Sequence, residues 1–131
     1  MAAHEIGHCR RYLAGTWYGL PAGFAAAAST DASVEPSATD AAGQAARREE
    51  AYGDLVGLAW IQQRHPEHYA RLHAWLVAER SSDVVAGSPH DTPLWVALAG
   101  DGSALAGAGA ALAPLFAAAD RVWAVGLRQP D

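Results

Sequence analysis

Residues 1–12 read MAAHEIGHCRRY. His4 and His8 stand four residues apart, and Glu5 directly follows the first. How this stretch folds decides how the rest of the chain is read. Its pattern predicts a helix over Met1–Leu13 with Gly15 as the stop. On a helix, residues i and i+4 share a face, so both imidazoles can turn toward one ion. Glu5 lies about a quarter turn from His4, close enough to reach a water on that ion without ligating it. Zinc lowers the pKa of such a water toward neutrality, and a carboxylate can then take its proton. Six histidines and six glutamates occur among 131 residues. Chance then gives HExxH on the order of 0.01 times per chain, so the motif is read as a site. Gly7 costs roughly 1 kcal/mol of helix propensity against alanine, and close packing would justify it.

Two imidazoles do not complete a catalytic zinc centre. A third protein ligand is needed, with one position left for water. Candidates lie in residues 46–60, ARREEAYGDLVGLAW. Glu50 and Asp54 share a helical face that continues toward Leu58 and Ile61. Carboxylates on a largely apolar helix are costly to bury unless something positive compensates them. A zinc ion contacted by Glu50 would do so. Asp54 could then accept the free N–H of a ligating imidazole and fix its tautomer. The same spacing recurs at Glu79 and Asp83, where a polar helix end reads as solvated charge. Glu49 competes with Glu50 as third ligand, although Gly53 stands four residues after it in place of a carboxylate. The plain alternative for both glutamates is a solvated first turn favoured by the helix dipole.

The run A-H-E-I-G-H and the segment R-E-E-A-Y-G-D-L-V-G-L-A-W resemble the gluzincin zinc metallopeptidases. The resemblance covers the first helix and the helix around Glu50. It implies His4 and His8 as zinc ligands, Glu5 as general base, Glu50 as third ligand and Asp54 as the outer partner of a ligating histidine. A late His or Tyr that stabilises the oxyanion is also implied, which points to His90 in GSPHDTP and more weakly to Tyr52. The alternative for His90 is a loop histidine near a helix cap. Gluzincins place a sheet before the HExxH helix, whereas only MAA precedes His4. The expectation is therefore a mainly α, zincin-like half-domain that lacks the N-terminal sheet, as in an N-terminally incomplete chain. Its active-site helix would pack against the helix carrying the third ligand.

The remaining chain reads as one domain over 1–131, with no strand and no internal repeat. TWYGLPAGF, residues 16–24, is an aromatic turn. Residues 25–44 read as a flexible low-complexity loop. Ala45–Arg64 is a helix ended by His65-Pro66, and Pro66 opens a second one to about Glu79. Ser81–His90 is a loop, and Thr92-Pro93 caps and starts a short helix. Residues 101–131 are Ala-rich, with a helix expected over 103–127 that Gly107, Gly109 and Pro114 weaken.

The net charge of −5 argues against a nucleic-acid partner, and the single cysteine rules out an internal disulfide. Residues 102–119 carry no charge, but Ala, Gly and Pro114 make them a poor membrane span. With no signal peptide in view, a cytoplasmic location is expected. Cys9 is read as a small buried residue. His65, His68 and His73 are read as ordinary helix histidines. Trp17, Tyr18 and Phe24 are read as core aromatics, with a cleft lining near the metal as the alternative. The function expected is zinc-dependent hydrolysis of a peptide or protein substrate. The alternative is a zinc-stabilised, non-catalytic helical interaction module.

Overall fold

The computed structural model describes residues 2–24, 38–107 and 111–129. Five α-helices follow in order among them: α1 (Ala2–Leu13), α2 (Ala38–Arg64), α3 (Tyr69–Glu79), α4 (Pro93–Leu98) and α5 (Ala113–Leu127). Short 3₁₀ turns at Pro66–His68 and Ser103–Leu105 lead into α3 and toward α5. There is no strand among the described residues, so the mainly α class holds. None of these helices is long and apolar enough to cross a membrane.

The middle of α2 is buried on every side from Ala51 to Ala59. A helix apolar all round belongs at the centre of a core, and the other elements gather on it. Tyr52, Leu55, Val56, Leu58 and Ile61 meet Tyr69 and Leu76 of α3, Trp95 and Val96 of α4, and Leu115, Val122 and Trp123 of α5. Indole N–H groups tie the layers: Trp95 donates to the Trp123 carbonyl at 3.1 Å and Trp123 to the Arg48 carbonyl at 2.9 Å.

α1 lies across α2 at two glycines. A methyl group at Gly7 would stand 3.1 Å from Val56 Cγ2 and 3.3 Å from Gly53 Cα. Close packing therefore does account for Gly7. The buried face of α1 is Ala3, Gly7 and Arg11. Cys9 falls on the other side of the helix and is exposed, contrary to the expectation of burial. Arg11 anchors this face. Its guanidinium donates to both Glu49 oxygens at 2.7 and 3.0 Å and to the Gly19 carbonyl at 2.7 Å, and it lies 4.3 Å from the Trp123 ring centroid. The Tyr18 amide also donates to Glu49, at 3.0 Å, so one carboxylate holds α1 and the aromatic turn to α2.

Two element boundaries and one cap differ from expectation. α2 starts at Ala38, so the 38–44 part of the expected loop is helical. Ala and Gln are good helix formers, and low complexity alone does not oppose a helix. The rest of that loop, 25–37, lies outside the described residues. The expected helix over 103–127 is not continuous: Ala106 is extended and α5 begins only at Ala113. Pro114 sits in the first turn of α5, where its missing N–H costs nothing, instead of in a helix interior. Finally, α4 does open at Pro93, but Thr92 makes no side-chain capping bond. Its hydroxyl is fully buried and donates to Asp54 Oδ2 at 2.8 Å.

Candidate metal centre

The crossing of α1 over α2 brings His4, His8 and Glu50 together. A side chain at Gly53 would approach the His4 ring to 2.8 Å, so the bare backbone there is the seat of the imidazole. From that seat, His4 Nε2 lies 2.9 Å from His8 Nε2 and 3.3 Å from Glu50 Oε2, and His8 Nε2 lies 3.4 Å from Glu50 Oε1. One donor atom from each residue falls within 4.8 Å of the other two. The triangle of donor groups meets Glu50 through a different oxygen on each edge, and its separations are comparable to the about 3.3 Å between ligands placed tetrahedrally at zinc bond lengths. The donor set of two imidazoles and one carboxylate is of the catalytic-zinc kind, and it leaves a fourth corner open.

The outer side of His4 is fixed as well. Its Nδ1 lies 3.1 Å from Asp54 Oδ1. An Nδ1–H donated there leaves the Nε2 lone pair facing the triangle. Asp54 is itself held by Arg80, whose Nε and Nη2 reach its two oxygens at 2.9 and 2.7 Å, and by the Thr92 hydroxyl. Arg80 Nη2 also stands 3.9 Å from Glu50. The centre thus draws on α1, α2, the end of α3 and the start of α4. His8 has no such outer partner among the described residues: its Nδ1 is buried without a hydrogen bond. Trp17 packs edge-on against the His8 ring, with centroids 5.5 Å apart.

These contacts set the proton affinities. Burial opposes a charge on His4, but hydrogen bonds to Asp54 and Glu50, with their negative charges, outweigh it and push its pKa up to about 9. Hydrogen bonds from His4 and His8 hold the Glu50 carboxyl far below its usual range against the opposing effect of burial. Burial raises Asp54, yet His4, Arg80 and Thr92 together keep it low. Without metal, a proton on His4 supplies the positive charge that a cation would otherwise bring.

Glu49 and Glu50 differ in burial and partners. Glu49 is 2% exposed and fully engaged with Arg11, whereas Glu50 faces the histidines. Glu5 is exposed on α1. His90 is at the rim, with Nε2 3.5 Å from Glu50 Oε2 and a side chain 60% exposed. Tyr52 is not at the centre; its buried ring packs on Trp123 and its hydroxyl donates to Asp120 at 2.7 Å. His73 pairs with the Val96 carbonyl at 2.7 Å, and His65 and His68 flank Glu67 on the surface. Arg80 and Thr92 are the residues that sequence reasoning missed. The signal for Arg80 was the buried carboxylate itself, which needs a cation whether or not metal is bound. No protein-family model, characterised protein or solved structure matches this chain.

Proposed function

We propose that this chain is a zinc-dependent hydrolase of peptide bonds, of the gluzincin type, with His4, His8 and Glu50 as the ligands. The observation that carries the reading is the convergence of His4, His8 and Glu50 on two crossing helices, with one donor atom from each within 4.8 Å of the others. Zinc held there supplies an acidified water and polarises a carbonyl. The chain's own residues do the rest. Glu5, one position along α1 from His4, would serve as the base for such a water. Asp54 keeps His4 in the ligating tautomer, and Arg80 and Thr92 keep Asp54 in place. His90, at the rim of Glu50, donates to the negative charge that develops on the carbonyl oxygen.

Purified protein is expected to carry equimolar zinc and to lose it on His4→Ala. Glu5→Gln should keep the metal and abolish hydrolysis of a casein-like substrate. Zinc far below stoichiometry, unchanged by His4→Ala, sinks the reading. One observation favours a second reading, a zinc-stabilised interaction module: the centre links four helices through Asp54 and Arg80, as a structural site does. Bound zinc with no hydrolysis across many peptide substrates selects that second reading.

A further inference from the structure

A cavity of about 350 Å³ lies between α1, the aromatic turn and α5, on the flank of α1 away from the donor set. Arg10 lines it from α1 and stands roughly 200° around that helix from His8. The cavity shares no residue with the donor set. Leu20, Pro21 and Ala124 give it an apolar side, and Arg10, Tyr52 and Asp120 a polar one. Arg11 also borders it, but Glu49 matches that charge at 2.7 Å. Arg10 and Asp120 are then the charges open to a ligand. These two are held apart instead of closing on each other. Arg10 Nη2 stands 3.7 Å from Asp120 Oδ2, beyond hydrogen-bond length. Each is fixed by a different neighbour. The Arg10 guanidinium lies over the Phe116 ring, 4.4 Å from its centroid, and Asp120 Oδ1 accepts the Tyr52 hydroxyl at 2.7 Å. Tyr52 is 1% exposed, so its hydroxyl is a firm anchor. The Arg10 and Asp120 side chains are 44% and 51% exposed, and so open an ion pair contributes little to stability. A ligand that parts the two therefore disturbs the fold little.

We propose that this cavity binds a free α-amino acid with an apolar side chain, its carboxylate on Arg10 and its ammonium on Asp120. One carbon separates the two charged groups of such a molecule, so they stand side by side as Arg10 and Asp120 do. Charge decides between occupants. A simple anion drawn to Arg10 would also meet Asp120, and a simple cation drawn to Asp120 would also meet Arg10. A peptide end carries only one of the two groups and leaves the other cavity charge unmatched. Size points the same way, because about 350 Å³ is at the small end of small-molecule sites. The side formed by Leu20, Pro21 and Ala124 then takes the side chain, and burial of its methyl groups adds affinity. The site stands whether or not the donor set holds zinc.

Titration of L-leucine into the protein tests this, followed by nuclear magnetic resonance at the indole N–H of Trp123, which lines the cavity. Leucine should shift that signal saturably. N-acetyl-leucine lacks the ammonium and leucinamide lacks the carboxylate. Each should bind about tenfold more weakly or worse, as loss of one charge-assisted hydrogen bond implies. Asp120→Asn keeps an acceptor for Tyr52 and should weaken leucine about tenfold, cutting its lead over N-acetyl-leucine to roughly twofold. Arg10→Gln should do the same with leucinamide as the comparator. Both side chains are about half exposed, so neither variant is expected to perturb folding. No saturable shift with leucine at millimolar concentration, equal binding of the three compounds, or a lead untouched by both variants overturns the proposal. Free leucine can also chelate zinc, so the titration is repeated on His4→Ala. A shift retained there supports the cavity site, and a shift lost there reports the metal and overturns it.

Discussion

Asp54 accepts hydrogen bonds from His4, Arg80 and Thr92 at once. Its removal therefore has two separable effects. Asp54→Ala leaves the Arg80 guanidinium, 16% exposed, without its carboxylate. Breaking a buried pair of this kind costs about 3–5 kcal/mol, to be read by urea denaturation in the presence of chelator. The same change frees the His4 ring, and zinc affinity should fall about 10–100-fold in a competition titration. If stability falls while affinity is unchanged, Asp54 serves the fold only. His4 adds a pH dependence. Its pKa rises from 6.5 to about 9, so in metal-free protein its stabilising contribution is full below pH 6.5 and is lost as pH rises through 9. Zinc must displace that proton. Zinc affinity should therefore climb with pH across the same window, approaching tenfold per unit, whereas a flat profile would mean that His4 is not a ligand. At this scale the pairs at i and i+4 were legible, because helix geometry alone puts His4 with His8 and Glu50 with Asp54 on shared faces. Arg80 was not legible. It lies 26 residues from Asp54, at a polar helix end, and no local pattern distinguishes a solvated arginine from one folded inward.

The crossing of α1 and α2 is where two elements become a site. Gly53 sits between Glu50 and Asp54 on the same helix, and only the absence of a side chain there lets the His4 ring lie against the backbone. Gly53→Ala would put its methyl 2.8 Å from that ring. In helix propensity alone the change is favourable by about 1 kcal/mol. The clash falls on a ring already tied to Asp54 and Glu50, so overpacking of about 1–3 kcal/mol opposes that gain. The metal-free variant should thus unfold at the same temperature or up to about 7 °C lower, while zinc binding weakens at least about tenfold as the ring is displaced. Unchanged zinc affinity would show that the crossing does not set the ligand geometry. The helices themselves were readable from composition and punctuation, as α3 and α4 show by starting near Pro66 and at Pro93. Boundaries were less so. Ala-rich stretches look alike whether they fold, as 38–44 do, or break, as at Ala106.

Across the whole molecule, α1 is fastened twice to the core built on α2. One fastening is the candidate metal centre, and the other is Arg11 with Glu49, Gly19 and the ring of Trp123. The mainly helical class was readable because no stretch alternates apolar and polar residues. The second fastening was not, since Glu49 looked like a solvated first-turn residue and is buried. Having two fastenings predicts how the fold responds to metal. If zinc were the sole link, chelation would release α1 and its turn. With Arg11 in place, metal-free protein should keep its helical circular dichroism and unfold cooperatively at a lower temperature. Zinc at about 100 times its dissociation constant stabilises by about 2.7 kcal/mol, which for a chain of this size is a rise in Tm of about 10 °C. His4→Ala should abolish that rise and also lower the metal-free Tm, because it removes the pairing of His4 with Asp54 and Glu50. Arg11→Met should instead keep the rise. It strands Glu49 in the core, lowers stability by about 3–5 kcal/mol, and leaves the zinc-induced rise in place as long as the variant folds. A chelated wild type that loses its α1 helicity, or an Arg11→Met protein as stable as the parent, would show that the two fastenings are not independent. α1 would then be held by the metal centre alone.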